Sequence, residues 1–264
     1  VGVAEFEEME CQAYQVALDV QPALGYHQLT LLEEGNDEPL ASMRLIVAPK
    51  ACYKQAPIAD GRKVWGPSVQ LYCLRSRHNW GIGDFSDLGQ LVEKAAAWGA
   101  HFVGLNPIHA LYPANPESAS PYSPSSRRWL NVAYINVEAV PEFLANERLK
   151  ADVASPAFQQ HLASLRAKEN VDYTGVIETK IGMLRQVFDE ARLSAERQAA
   201  FDAFVVAGGD SLQQQAAFDA LQAHFYGKGE NAWGWPVWPD AFRDYHNPEV
   251  AAWMAEHQQD VNFY

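Results

Sequence analysis

The hydrophobic period of this 264-residue chain changes once, near Val64, and that change limits the possible folds more than any other feature. Between about Tyr14 and Ala48 apolar residues recur at every second position. Tyr14, Val16, Leu18 and Val20 alternate with Gln15, Ala17 and Asp19; Tyr26–Leu32 and Met43–Val47 follow, set off by Pro22–Gly25 and Glu33–Pro39. Period-2 alternation predicts three antiparallel strands with one apolar face. Three such strands are close to the minimum for independent stability, so further strands are expected ahead of Val1. Pro49–Lys63 is mixed and polar, carries Pro49, Pro57 and Gly61, and reads as a linker.

From Val64 strand and helix signals alternate, the grammar of an α/β fold. Ser68–Leu74 is expected to be a strand. A helix should open at Asp84-Phe-Ser-Asp-Leu88, with Asp84 or Ser86 as N-cap and Gly99 as C-cap. Its apolar stripe is Leu88, Leu91, Val92, Ala95 and Ala96. His101–Leu105 is a second strand, and Asn131–Val137 has the look of a further one. Beyond about Ala154 the spacing is helical over Ala157–Lys168, Tyr173–Arg192, Ala195–Ala207, Ser211–Phe225 and Pro248–Gln258.

Composition narrows the function classes. Formal net charge is −13, which opposes non-specific binding to nucleic acid or to anionic membrane and suits a neutral ligand. Cys11, Cys52 and Cys73 form no Cys-x-x-Cys and read as reduced thiols of a cytoplasmic protein. The first residues lack a signal-peptide pattern, and no apolar run is long enough for a transmembrane helix. The Gly81-Ile-Gly83 pair has no following Lys-Ser/Thr, so phosphate binding is not indicated. Neither a metal nor a cofactor is expected.

Gly104–Asn131 carries the most chemistry. It begins as the strand ending at Leu105 and becomes a long proline-rich loop bearing aromatic and hydroxyl side chains. Prolines hold such a loop stiff, so Ser120, Tyr122, Ser123 and Arg127 would be presented with little entropy to lose on binding. Read from composition alone, the loop could equally be a rigid surface connection. His109 and Asn106, in Asn106-Pro-Ile-His109, could hydrogen-bond a ligand's hydroxyls, although a structural histidine fits as well. Trp233-Gly-Trp-Pro-Val-Trp-Pro239 is rich in aromatics, but its prolines and flanking helices favour a packed corner over a ligand surface.

Three motifs resemble the opening of the catalytic barrel of bacterial 4-alpha-glucanotransferases (amylomaltases). They are Trp65-Gly-Pro-Ser-Val-Gln-Leu-Tyr72, Asn79-Trp-Gly-Ile-Gly-Asp-Phe85 and the Pro107–Asn131 run with Ser120-Pro-Tyr122. The resemblance implies the start of a (β/α)8 TIM barrel with a helical insertion subdomain, preceded by the tail of an all-β sandwich. The expected division is residues 1–48 for the sandwich, 49–63 for the linker, 64–140 for the first β/α units and 141–264 for the insertion.

The resemblance also implies transfer of α-1,4-glucan segments between maltodextrins with release of glucose, through a covalent glycosyl-enzyme and without a cofactor. Ser120 becomes a polar contact and Tyr122 a stacking platform in the donor sugar site, with His109 and Asn106 nearby. Retaining transfer needs two carboxylates about 5 Å apart. In the family these belong to later barrel strands, and no Asp or Glu here matches them. Asp84, Asp87 and Glu117 read as caps or solvated groups, so no catalytic residue is assigned. The chain is read as an inactive part of a longer enzyme, and its unpaired strand edges predict self-association. The alternatives are a non-catalytic maltodextrin-binding module, a structural fragment and an α-amylase-type hydrolase.

Overall fold

The computed structural model describes residues 2–6, 9–17, 19–229 and 233–264. The chain divides into two compact units, Val1–Lys63 and Val64–Tyr264.

The first unit contains two antiparallel hairpins. Strand β1 (Gly2–Phe6) pairs with β2 (Met9–Ala13), and β3 (Gly25–Leu32) pairs with β4 (Pro39–Val47). The second pair runs in register from Gly25 opposite Val47 and slips between Leu31 and Leu32. Its turn is closed by Asn36 N–H donating to Glu33 O at 3.0 Å, with Gly35 at φ 84° where a left-handed conformation is required. The described residues of Tyr14–Val20 do not form the expected strand. The register uses up β1, with Gly2 opposite Ala13, and the extended run ends there. Tyr14, Val16 and Val20 are exposed, so the alternation builds no buried face; Leu18 lies outside the described residues. Strand β4 starts four residues earlier than Met43. The stretch read as a linker contains a short helix, α1 (Ala56–Ala59), which starts with Pro57 in its first turn. Cys52 and Cys73 are free and exposed; the Cys11 side chain is outside those described.

The second unit opens with a βαβ arrangement. Strands β5 (Ser68–Val69) and β6 (Gly104–Leu105) pair in parallel, joined through helix α2 (Phe85–Ala97). Both strands are far shorter than their apolar runs suggested. After Val69 the chain turns into a 3-10 helix, Leu71–Cys73, which drops Leu71 into the core. Before Gly104 the two segments still touch: His101 N–H donates to Trp65 O and Gly104 N–H to Pro67 O, each at 2.8 Å. A side chain at Gly66 would lie 2.0 Å from Phe102 O, so glycine is what lets the two backbones meet.

Helix α2 starts on Asp84, not Ser86. The Asp84 carboxylate accepts from the backbone N–H of Ser86 and Asp87, while Asp87 accepts from Asp84 N–H at 3.0 Å, a reciprocal capping box. The helix ends in a Schellman motif: Ala100 N–H donates to Ala95 O and Gly99 N–H to Ala96 O, with Gly99 at φ 79°.

Strands β7 (His109–Ala110) and β8 (Ser126–Leu130) form an antiparallel pair. Asn131–Val137 is not the further strand its composition suggested. Asn131 and Asn136 accept from the N–H groups two residues on, at 3.0 and 3.1 Å, and fold the segment into 3-10 turns. Short amide side chains compete with a strand ladder in this way.

Helices follow: α3 (Pro141–Leu144), α4 (Glu147–Ala154), α5 (Pro156–Arg166), α6 (Tyr173–Glu190), α7 (Ala195–Gly227), α8 (Pro248–Glu256) and α9 (Gln258–Phe263). Gly209, at φ 52° and ψ −153°, breaks α7 near the gap between the two helical patterns expected there. One core gathers Leu71, Trp80, Tyr134, Leu149, Leu165 and Val176; a second joins Leu221, Phe225, Trp238, Val250 and Trp253. Among the described residues no helix is long and apolar enough to cross a membrane.

Candidate functional site

Parallel strands deliver their following residues to one end of the pair, and β/α folds place ligands there. Asn106 follows β6 directly, and Tyr72 follows β5 within the 3-10 turn. Strand β7 then leads into the proline-rich loop, which β8 brings back, so the loop is the tip of a long hairpin. Its base is tied by Ser125, whose hydroxyl donates to Leu111 O at 2.7 Å and whose N–H donates to Ala110 O at 2.9 Å. Inside the loop, Ser118 N–H donates to Asn115 O and Ser123 N–H to Ser120 O. The second of these closes a turn through Pro121 and Tyr122. Glu117 accepts from the Thr174 hydroxyl of α6, and Tyr112 meets Phe218 of α7 edge to face, with ring centroids 6.3 Å apart. The loop is therefore anchored by backbone, carboxylate and aromatic contacts.

Of the four candidate residues, Asn106 and Tyr122 come together: the Asn106 amide donates to the Tyr122 hydroxyl at 3.3 Å. Ser120 opens the same turn that carries Tyr122. Tyr122 is 69% exposed, which leaves its ring face open rather than packed beneath the loop. His109 sits lower, in β7 opposite Leu130; among the described residues no hydrogen bond or ring contact ties it to the other three. Ser120 also lines a cavity of about 690 Å³ that reaches across to α7, Trp233 and Trp235.

Tyr72 stands near Tyr122, and Tyr173 stands near Tyr72 in turn; sequence reasoning gave neither a role. Burial raises the Tyr72 phenol above its ordinary range, and the neighbouring Cys73 and Tyr122 add to the rise. The Tyr173 phenol is pushed up to about 12 by burial and by Tyr72 and Cys73, with Arg75 opposing. Position was the usable signal for Tyr72, since it is an aromatic residue just past the end of a parallel strand. Tyr173 is brought in by α6, from 51 residues beyond Tyr122, and no local pattern marks it.

The Asn79–Phe85 loop does structural work. Asn79 donates to Asp87 at 2.9 Å and to Leu74 O at 3.2 Å, and Trp80 is buried with its indole N–H on Glu138 at 2.9 Å. A side chain on Gly83 would lie 2.1 Å from Leu71 O. Burial raises the Asp84 carboxyl above the aspartate range; the Asp87 N–H and then the Lys180 ammonium oppose it. Lys180 is itself buried, donates to Ala133 O at 2.7 Å and Ile135 O at 2.8 Å, and is lowered by that burial to about 8. Asp84 Oδ1 and Asp87 Oδ2 thus cap the start of α2.

The 4-alpha-glucanotransferase family profile matches residues 69–264, and a profile of the MalQ N-terminal beta sandwich domain matches residues 3–49. The chain belongs to the 4-alpha-glucanotransferase family. It is 36% identical to a 4-alpha-glucanotransferase of Haemophilus influenzae over 248 residues, covering 91% of this chain and 35% of that protein. With the 4-alpha-glucanotransferase of Mycobacterium tuberculosis it shares 36% identity over 254 residues, 91% of this chain and 32% of the relative. In three dimensions it is similar to the amylomaltase from Corynebacterium glutamicum, with a TM-score of 0.70 and 28% identity over 99% of this chain and 35% of that one. The shared fold is an α/β fold of glycoside hydrolase type. The chain spans about a third of the length of these relatives. Asn106, His109, Ser120 and Tyr122 all fall inside the family match.

Proposed function

We propose that this chain is a portion of a 4-alpha-glucanotransferase that moves α-1,4-glucan segments between maltodextrins, and that it supplies part of the donor sugar site. The observation that carries this reading is the Asn106–Tyr122 pair at the C-terminal end of β6, beside Ser120. An exposed tyrosine face stacks on the C–H face of a pyranose, while amide and hydroxyl groups around it take the sugar's hydrogen bonds. His109 contributes from the base of the same hairpin. Maltodextrin is the ligand and glucose a product, with no cofactor in the reaction.

In this reading β5, α2 and β6 are the first β/α units of a TIM barrel, spanning residues 64–140 after a sandwich tail at 1–48 and a linker at 49–63. Residues 141–264 are its helical insertion. The two-stranded β5–β6 pair offers open edges, which favours self-association. The free Cys52 and Cys73 suit a reducing, cytoplasmic setting. Retaining transfer requires a nucleophilic carboxylate and an acid/base about 5 Å away. Asp84 and Asp87 are engaged in capping and Glu117 in the loop's anchor; the family resemblance implies that bond cleavage falls to carboxylates outside this chain.

A maltotriose disproportionation assay tests the reading. A longer protein carrying this chain is expected to form glucose and longer maltodextrins, and to slow when Tyr122→Ala is introduced. The 264-residue chain alone is expected to form none. Transfer by the chain alone, or unchanged transfer by the longer Tyr122→Ala protein, would overturn it.

A further inference from the structure

The segment around Trp233–Trp238 is divided in its exposure. Trp238 is buried, stacked on Phe218 with centroids 5.6 Å apart and lying against Phe225 at 5.3 Å. Trp233 and Trp235 are each 54% exposed. Gly234 between them is fully extended, φ 176° and ψ 176°, and extended backbone sends residues i and i+2 to the same side. Gln222 of α7 fixes the start of the segment by donating to Trp233 O at 3.2 Å, and a 3-10 turn over Trp235–Val237 fixes its end. A packing corner would bury all three indoles. This one uses Trp238 as an anchor and holds two indoles in the open.

Both open indoles line the cavity of about 690 Å³ that also takes in Ser120. The lining also takes in the proline-rich loop, with the hydroxyls of Ser118 and Ser123, Ser126 of β8, and the amides of Gln214 and Gln215 from α7. Exposed indoles in one cavity with neutral hydroxyls and amides match a ligand with apolar C–H faces and hydroxyl edges. Among the described residues the lining carries one carboxylate, Glu117, and no lysine or arginine, which disfavours an anionic ligand.

We infer that Trp233 and Trp235 form an extended glucan subsite, along which a maltodextrin seated at Tyr122 and Ser120 continues over the two indoles. The inference rests on the donor-site reading only for where that chain begins. It makes the chain selective for long over short maltodextrins. Each pyranose stacked on an indole is expected to raise affinity about three- to tenfold.

The test titrates the ¹⁵N-labelled full chain with maltose and with maltoheptaose, following indole N–H signals assigned through Trp233→Phe and Trp235→Phe. The Trp233 and Trp235 signals are expected to shift with maltoheptaose, which binds about tenfold more tightly than maltose. Trp233→Ala and Trp235→Ala should each cut maltoheptaose affinity about three- to tenfold and so shrink that preference. If the two indoles stay still while Tyr122→Ala weakens maltose binding, the subsite is refuted and the donor site stands. If they shift and Tyr122→Ala changes nothing, the subsite stands and the donor site at Tyr122 is refuted. Binding of neither sugar refutes both.

Discussion

The Asn106 side-chain amide donates to the Tyr122 hydroxyl at 3.3 Å, across sixteen residues of proline-rich loop. That bond ties the tip of the β7–β8 hairpin to the end of a parallel strand. It fixes the direction in which the tyrosine face looks. Removing the ring and removing the bond should therefore have different effects. Tyr122→Ala is expected to lower maltodextrin affinity about tenfold or more. Tyr122→Phe, which keeps the stacking face and loses only the acceptor, should cost about two- to fivefold. Calorimetric titration of both variants checks the order; equal losses would show that the ring does not stack.

The capping box of α2 predicts a stability effect separate from binding. Asp84→Ala leaves two N–H groups at the start of the helix without their acceptor, at a cost of about 1–2 kcal/mol. The melting temperature should fall by several degrees, with Asp84→Asn losing much less. Thermal unfolding followed by circular dichroism would decide it.

Two glycines six residues apart should respond in opposite directions. At Gly83 a methyl group would stand 2.1 Å from Leu71 O, so Gly83→Ala must displace backbone and is expected to destabilise by several kcal/mol. At Gly89, within α2, a methyl group meets nothing within 4 Å. Gly89→Ala should stabilise by about 0.5–1 kcal/mol through helix propensity. Denaturant melts of the two variants give the comparison.

Asp219 makes stability depend on pH. It is buried in α7 with one oxygen accepting from Gln215 at 2.9 Å and the other without a partner, and burial pushes its carboxyl up to about 7. An unfolded aspartate titrates near 3.8. Between about pH 4 and 7 the folded chain holds a proton that the unfolded chain has released, so this group's contribution to stability falls as pH rises through that window. The melting temperature should drop from pH 5 to pH 8, and Asp219→Asn should flatten the slope. An unchanged slope in the variant would show that Asp219 is ionised in the fold.

Sequence patterns reached different depths in different parts of this molecule. Helix α2 was readable at both ends because its signals are local: Asp84 and Asp87 three residues apart, and Gly99 where a left-handed turn is needed. Helix α5 begins one residue before its expected start, and α6 begins at Tyr173 as expected, because their periodicity is long. Strands fared worse. Apolar runs at Ser68–Leu74 and Asn131–Val137 mark burial, and a buried 3-10 turn leaves the same mark as a buried strand. Alternation at Tyr14–Val20 does not carry pairing with it, since pairing depends on a partner strand elsewhere. The candidate site is legible in the sequence only as a stiff, hydroxyl-bearing loop. That Asn106 would hold Tyr122, and that Tyr173 would stand near Tyr72, depends on distant segments and left no local trace; only Tyr72, just past the end of a parallel strand, carried a positional signal. The tryptophans after α7 illustrate the same limit, since composition could not separate the buried Trp238 from the open Trp233 and Trp235.

Titration of the full chain with maltotriose by isothermal calorimetry, beside Tyr122→Ala folded to the same extent by circular dichroism, tests the donor-site account most directly. The account predicts saturable binding by the parent chain that weakens about tenfold or more in the variant. Saturable binding of equal strength in both, or none in either, would contradict it.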